Sequence, residues 1–243
     1  DHGWAFHASF QALQTFAENF QNCRTISDFG IKVYSGIRPG YAKAYIVEQS
    51  VYDGFSEDIR AKWFKPIILP ANIKRWRGSK KINFMLVIPH NTACLDREVE
   101  EYLAPYRVKL AARTEAEGKG KWFALRPCSY YDKMAQEKIV FPDLSSQQRF
   151  SLVDKDVYVP DGAYFIESNS RVLLGILNSS LARDYFVKRC SSVGNLNTKG
   201  RFRFKKTFVQ DFPLPLSFDS NGLLQEQIIR LVDDMIAHGE SDH

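Results

Sequence analysis

NSRVLLGILNSSLARDYFVKRCSSVGNLNTKGRFRFKKTFVQDFPLP, residues Asn169–Pro215, joins an apolar helical pattern to the densest positive charge in the chain. From Arg183 to Lys206 eight basic residues face a single acid, Asp184, a local charge of +7 where the whole chain carries only +5. Upstream, Leu173, Leu174, Ile176, Leu177, Leu181 and Phe186 recur at helical spacing, which predicts one mostly buried helix over Arg171 to Phe186 as the support. Downstream, Arg201-Phe202-Arg203-Phe204-Lys205 alternates basic and aromatic side chains with period two. On an extended strand this sends Phe202 and Phe204 to one face, for packing, and the cations to the other. Asn195, Asn197 and Gly200 mark a polar, turn-rich loop that can carry Thr198 and Lys199 outward. The alternative reading of this segment is a solvated cationic edge strand, since lysine on an edge also blocks aggregation.

A second basic segment runs from Arg60 to Lys81, with eight cations and no acid. Outside the two segments the chain is net negative, so the positive charge is concentrated, the footprint of a polyanion binder. Trp63, Phe64 and Trp76 stand among these cations, Trp63 and Phe64 as core residues and Trp76 as either core or a stacking platform.

The remaining pattern fits a chain of 243 residues, 44% apolar, with enough apolar side chains for a real core. Ser9 to Asn22 reads as an amphipathic helix, Ile26 to Val47 as strand, turn and strand, and Phe84 to Pro89 as a central strand. Asp96 to Ala112 reads as a helix interrupted at Pro105, and Thr114 to Lys121 as a charged loop. Trp122-Phe123, Lys138 to Phe141, Ser151 to Val159 and Ala163 to Ile166 are strand candidates. Leu223 to about Ala237 is a last amphipathic helix whose stripe, Leu224, Ile228, Leu231 and Met235, is wide enough to dock on another helix. We divide the chain into a recognition domain over 1–217 and a linker with docking helix over 218–243.

Several chemistries lack their residues. The four cysteines form no C-x-x-C pair, so reduced thiols are expected rather than a zinc site or disulfide framework. The glycines do not make a dinucleotide fingerprint, the histidines are scattered, and no Pro-Pro is present to build the motif that holds a flipped base for amino-group methylation. Glu117-Gly118-Lys119 with Asp96 is the one segment resembling a metal-dependent nuclease, and it falls in a charged loop without an upstream Pro-Asp. No catalytic or metal-binding residue is assigned. The absence of a signal-peptide pattern and of a long apolar run points to a soluble, cytoplasmic chain without membrane partners. Its opening on Asp1 rather than Met suggests a piece of a longer polypeptide.

Several stretches in order resemble the TaqI-like C-terminal specificity domain, the target-recognition part of type II restriction-modification enzymes. Ile37-Arg38-Pro39-Gly40-Tyr41-Ala42-Lys43-Ala44-Tyr45-Ile46 is similar to the family's I-x-T-G-x-N-x-A-F-I segment, and Phe64 to Ile68 with Asn72 to Trp76 to its "KPIL…DIKRY" region. Lys138 to Leu144, Arg149-Phe150, Leu174 to Ser179 and Phe212-Pro213-Leu214-Pro215 continue the series. Pro39 stands where threonine is usual and Ala42 where asparagine is usual, so polar contacts made there by relatives are not carried over. The resemblance implies an α+β fold: a mixed, largely antiparallel sheet with packed helices and a C-terminal amphipathic helix. It also implies double-stranded DNA as partner and an upstream methyltransferase domain holding S-adenosylmethionine, with no cofactor in this chain. The expected DNA contacts are Arg38, Tyr41 and Lys43 in the matched stretch; Lys74, Arg75, Arg77, Lys80 and Lys81 gripping phosphate; and Asn195, Asn197, Lys199, Arg201, Arg203, Lys205 and Lys206 in the basic loop and strand. Arginine and lysine there favour guanine, and asparagine favours adenine.

Overall fold

The computed structural model describes residues 22–78, 83–114, 121–194, 200–220 and 222–238. The first part of the chain carries β1 (Cys23–Thr25), β2 (Val33–Ser35), α1 (Ala42–Tyr45), β3 (Ile46–Val47), α2 (Gln49–Asp53), α3 (Glu57–Trp63), β4 (Phe64–Ile67), β5 (Trp76–Arg77) and β6 (Asn83–Leu86). The middle follows with α4 (Arg97–Leu103), α5 (Arg107–Ala111), α6 (Tyr131–Met134), β7 (Lys138–Pro142), β8 (Leu144–Ser145), β9 (Ser151–Val153) and β10 (Ala163–Ile166). The last part holds α7 (Arg171–Leu177), α8 (Ser180–Arg189), β11 (Ser191–Val193), β12 (Arg201–Arg203), α9 (Lys206–Gln210), β13 (Pro213–Pro215) and α10 (Leu223–His238).

A five-stranded sheet in the order β2-β10-β7-β9-β5 is the wall between two cores. Its strands pair antiparallel except β5, which runs parallel to β9. Because side chains alternate along a strand, each strand feeds both sides. Val140, Val153, Ala163 and Phe165 enter one cluster, while Ile139, Phe141, Leu152 and Ile166 enter the other. Burial on both faces explains why β7 reads as an unbroken apolar run rather than an alternating one. The exception is Lys138, buried at its start, whose Nζ donates to the Gln136 carbonyl at 2.9 Å. Burial pushes its ammonium pKa down to about 8.

The first core is closed by the sheet β3-β6-β4, with Met85 and Leu86 of its central strand fully buried, and by α3 and α4. The second is closed by α7, α8 and α10 and by the β1-β13 pair. Gly175 of α7 lets α10 approach: a Cβ there would stand 3.0 Å from a Val232 methyl and 3.1 Å from an Ile228 methyl.

The architecture is α+β with mixed sheets and a C-terminal helix, as the sequence implies, and several local readings are corrected. The helix expected over Arg171 to Phe186 is two helices, α7 and α8, broken at Asn178-Ser179; Ser179 Oγ caps the second by accepting from Ala182 N at 3.2 Å. Trp122-Phe123 is a turn, since the Trp122 carbonyl is taken by Arg113 instead of a neighbouring strand. Tyr45 belongs to α1, and the strand expected over Ser151 to Val159 stops at Val153, where the chain turns through Asp156 at φ 64. Pro105 sits in a short 3-10 turn joining α4 to α5, the expected interruption. The helix over Ser9 to Asn22 falls, apart from Asn22, outside the described residues, as do Glu117 to Lys119.

In α10 the expected stripe divides. Ile228, Val232, Met235 and Ile236 pack on the second core, whereas Leu224 and Leu231 are 64% and 65% exposed. Among the described residues no helix is long and apolar enough to cross a membrane, and no cluster of three or more His, Cys, Asp or Glu could hold a metal ion. None of the four cysteines, all among the described residues, is joined in a disulfide.

Candidate nucleic-acid interface

Strand register brings basic segments that are far apart in sequence to one end of the central sheet. Ser35 pairs with Tyr164, Ala163 with Pro142, Val140 with Ser151, and Ser151 with Trp76. Gly36 to Arg38, Asp161-Gly162, Asp143, Phe150 and Lys74-Arg75 therefore all leave the sheet at the same rim. Beyond Asp143 the chain continues into β8, which pairs with β12, Leu144 opposite Arg203 and Ser145 opposite Phe202. β12 in turn pairs with β11, so Arg201 to Arg203 form the middle strand of a β11-β12-β8 sheet. This excludes the edge-strand alternative. Four strand spacings separate β2 from β5, about 19 Å, wider than the ~12 Å major groove of B-DNA.

A buried amide holds these pieces together. Asn178, 1% exposed, accepts from Phe150 N at 3.2 Å through Oδ1 and donates to Phe150 O at 2.9 Å through Nδ2, as a paired strand would. The same Phe150 carbonyl accepts from Trp76 N at 2.9 Å, and the Asn178 carbonyl accepts from Arg75 Nη2 at 2.8 Å. Gln148 Nε2 donates to the Ser179 carbonyl at 3.0 Å, and Ser151 Oγ to the Lys74 carbonyl. The break between α7 and α8 thus fixes both the loop from β8 to β9 and the start of β5. Helical periodicity could not reveal this, because the bonds span 28 residues.

The expected contact residues take different positions. Arg201 is exposed, with no ion pair among the described residues. Arg203 is half-buried, its Nε 4.0 Å from the Asp143 carboxylate and without a hydrogen bond. Phe204 is buried at 3% exposed and Phe202 packs on the second core, so the aromatic half of the alternation points inward. Lys205 is exposed, its Nζ 5.7 Å from the Phe208 ring centre, and Lys206 is half-buried at the start of α9. Lys74 is exposed, and Arg77 is exposed with its guanidinium 3.9 Å from Asp154. Arg75 is committed to the fold through Asn178 and lies 5.4 Å from the Trp76 ring centre; Trp76 itself is buried. Lys80, Lys81, Asn195, Asn197 and Lys199 lie outside the described residues.

On the β2 side, Arg38 pairs with Asp161 at 3.3 Å, both exposed. Tyr41 accepts from Lys109 Nζ at 3.3 Å, and Lys43 is exposed on α1. The sequence reading missed what holds this corner: Arg113 is buried at 8% exposed and donates to the carbonyls of Pro39, Trp122, Leu110 and Ala124 at 2.6 to 3.0 Å. Four carbonyls in place of a carboxylate satisfy its donors and pin the Pro39 turn.

The segment from Arg60 to Lys81 does not act as one patch. Arg60 pairs with Asp53 at 3.8 Å and Lys62 with Asp96 at 2.7 Å, on the helix that packs on the first core, whereas Phe202 of β12 packs on the second. Hydrogen bonds from Lys62 and from Trp63 Nε1 hold the Asp96 carboxyl below the usual range.

The TaqI-like C-terminal specificity domain model matches residues 65–214. The chain is 25% identical over 201 residues to the type II methyltransferase M.BanIII of Aneurinibacillus aneurinilyticus, which covers 77% of this chain and 32% of that protein. Among solved structures it is similar to the type IIL restriction-modification enzyme MmeI, solved in complex with DNA, with TM-score 0.61 and 13% identity over 86% of this chain and 28% of MmeI. It is also similar to the type IIG restriction endonuclease BpuSI, with TM-score 0.56 and 14% identity over 92% of this chain and 28% of BpuSI. This chain spans about a third of the curated relative's length, and the structural likenesses concern the fold. The family match, over more than half of the residues and including β12, Asn178 and Lys74 to Arg77, shows that the chain belongs to the TaqI-like C-terminal specificity domains of restriction-modification enzymes.

Proposed function

We propose that this chain reads a short sequence in double-stranded DNA and so positions a methyltransferase domain carried elsewhere in the polypeptide. The observation that carries it is the convergence of Arg38, Lys74, Arg201, Arg203 and Lys205 on one rim of the central sheet. In this reading Arg201 and Arg203 address base edges, while Lys74, Arg77, Lys80 and Lys81 grip phosphate. S-adenosylmethionine is assigned to the methyltransferase domain. The described positive-φ glycines, Gly30, Gly40, Gly162 and Gly194, occupy four separate turns, so they do not fit a donor-binding loop. No methyl-transfer step is derived for these residues.

The test is a salt series of affinities for cognate and scrambled duplexes, made on the full-length enzyme. Arg201→Ala and Arg203→Ala are each expected to cost about 1–3 kcal/mol on the cognate duplex and to relax one base position. Lys74→Ala is expected to weaken both duplexes alike and lower the salt slope by about one. If both arginine variants keep wild-type affinity and preference, the reading is wrong.

A further inference from the structure

Within the β11-β12-β8 sheet, β11 and β12 form an antiparallel ribbon with Ser191 opposite Arg203, Ser192 opposite Phe202 and Val193 opposite Arg201. Directly opposed residues project to the same face, and successive ones to opposite faces. Phe202, and Ser192 with it, therefore marks the face turned to the second core. The other face presents Ser191, Arg203, Val193 and Arg201. Ser191, Ser192 and Val193 are all exposed, Val193 at 40%.

What sets Val193 apart from other exposed apolar side chains is its place directly opposite an exposed, unpaired arginine among the described residues. It is the one apolar side chain on the outward face of this ribbon, on an outer strand, where a β-branched residue favours pairing with other chains. Arg201 stands directly opposite it and Arg203 lies on the same face two residues along, a positive setting that suits a polyanion and disfavours an apolar protein partner. At Val193 and Arg201 the sheet is two strands wide, since β8 pairs only with Phe202 and Arg203; a two-stranded ribbon fits the major groove of B-DNA, and of the groups that base pairs display there only the 5-methyl of thymine is apolar. Opposed side chains on a ribbon have Cβ atoms about 4.5–5.5 Å apart, and adjacent bases are about 3.4 Å apart along one strand. The Val193 methyls and the Arg201 guanidinium can thus meet adjacent or next-adjacent bases.

We propose that Val193 is a specificity-determining residue that recognises the methyl group of a thymine next to the base contacted by Arg201. The proposal rests on the DNA-recognition reading above and adds a residue, a contact chemistry and a base to it. Only the apolar contact is assigned to Val193.

The experiment uses the full-length enzyme and a cognate duplex in which each thymine is replaced in turn by uracil, removing one methyl and nothing else. For the wild type, one replacement is expected to weaken binding about four-fold, the worth of one buried methyl group, and the others to leave it unchanged. In Val193→Ala that single penalty disappears. In Ser192→Ala, on the opposite face, it persists. Both sites are exposed, and unchanged thermal midpoints verify the fold of the variants. A wild type indifferent to every replacement, a cognate site without thymine, or a penalty that survives in Val193→Ala overturns the proposal. A wild type that binds cognate and scrambled duplexes equally instead overturns the DNA-recognition reading on which it stands.

Discussion

Arg60-Ala61-Lys62-Trp63-Phe64-Lys65 and Arg201-Phe202-Arg203-Phe204-Lys205-Lys206 are built from the same ingredients, cations interleaved with aromatics, and the fold treats them oppositely. In the first, Trp63 and Phe64 are buried at 5% and 4% exposed, and two of the three cations meet Asp53 and Asp96. In the second, Phe204 is buried in the same way, but Arg201 stays unpaired among the described residues and Arg203 only approaches Asp143. The aromatics anchor both segments. What differs is which acids the tertiary structure brings near, and these lie up to 34 residues away in the first segment. A run of positive charge attracts a polyanion to the extent that the fold leaves it uncancelled. Two further cations, Arg113 and Lys138, are buried outright, so the molecule shows three fates of positive charge: cancelled, displayed and enclosed.

Perturbing each fate sharpens that contrast. The largest effect is expected at Arg113. Arg113→Met leaves four inward-facing carbonyls without their donor and should lower stability by about 3–5 kcal/mol in urea unfolding. A loss below about 1 kcal/mol would mean that the Pro39 corner is held by something else.

Lys138 comes next, and its effect depends on pH. Its folded pKa of about 8 lies below the ordinary value of 10.5, so between these the unfolded chain binds more protons and stability rises with pH. Keeping the ammonium charged in the fold costs on the order of 3 kcal/mol at neutral pH. Lys138→Met should therefore be more stable than wild type at pH 7, with an advantage that shrinks above about pH 8. A difference between the two proteins that stays constant from pH 7 to pH 10 would contradict the assignment.

Asn178→Ala removes both side-chain hydrogen bonds to the Phe150 backbone, leaving its carbonyl the bond from Trp76 N, and should cost about 2–3 kcal/mol. Because the same side-chain amide ties down the loop that leads from β8 to β9, this variant should also lose cognate preference at temperatures far below its melting transition. Retained preference there would show that Asn178 serves stability alone. The smallest effect is expected at Lys62→Ala, whose charge is already cancelled by Asp96: cognate affinity and salt slope should match wild type. A drop in slope of about one would place Lys62 on phosphate and dissolve the contrast between the two segments.

Local pattern made much of this fold legible. The apolar runs at Phe84 and Lys138, the interruption at Pro105 and the last helix follow from periodicity and proline chemistry, and the structure has each of them, the first ending at Leu86 rather than Pro89. The helix over Arg171 to Phe186 was divided by a requirement periodicity does not encode, the pairing of the Asn178 amide with Phe150. Trp122-Phe123 has the composition of a strand, but Arg113 takes its carbonyl. For the site, the alternation around Phe202 located the outward strand, whereas Val193 carries no signal in one dimension. It stands out only once the register sets it opposite Arg201.

The ribbon of β11 and β12 pairs with Leu144 and Ser145 of β8 and is tied by Phe204 N to the Asp143 carbonyl, and its aromatic anchors Phe202 and Phe204 face away from the side that carries Ser191, Val193, Arg201 and Arg203. Substitutions on that side disturb neither core. On the proposed reading, a lineage under pressure to change its target can therefore vary these four positions with little loss of stability, exchanging one preferred base for another while the scaffold is inherited intact.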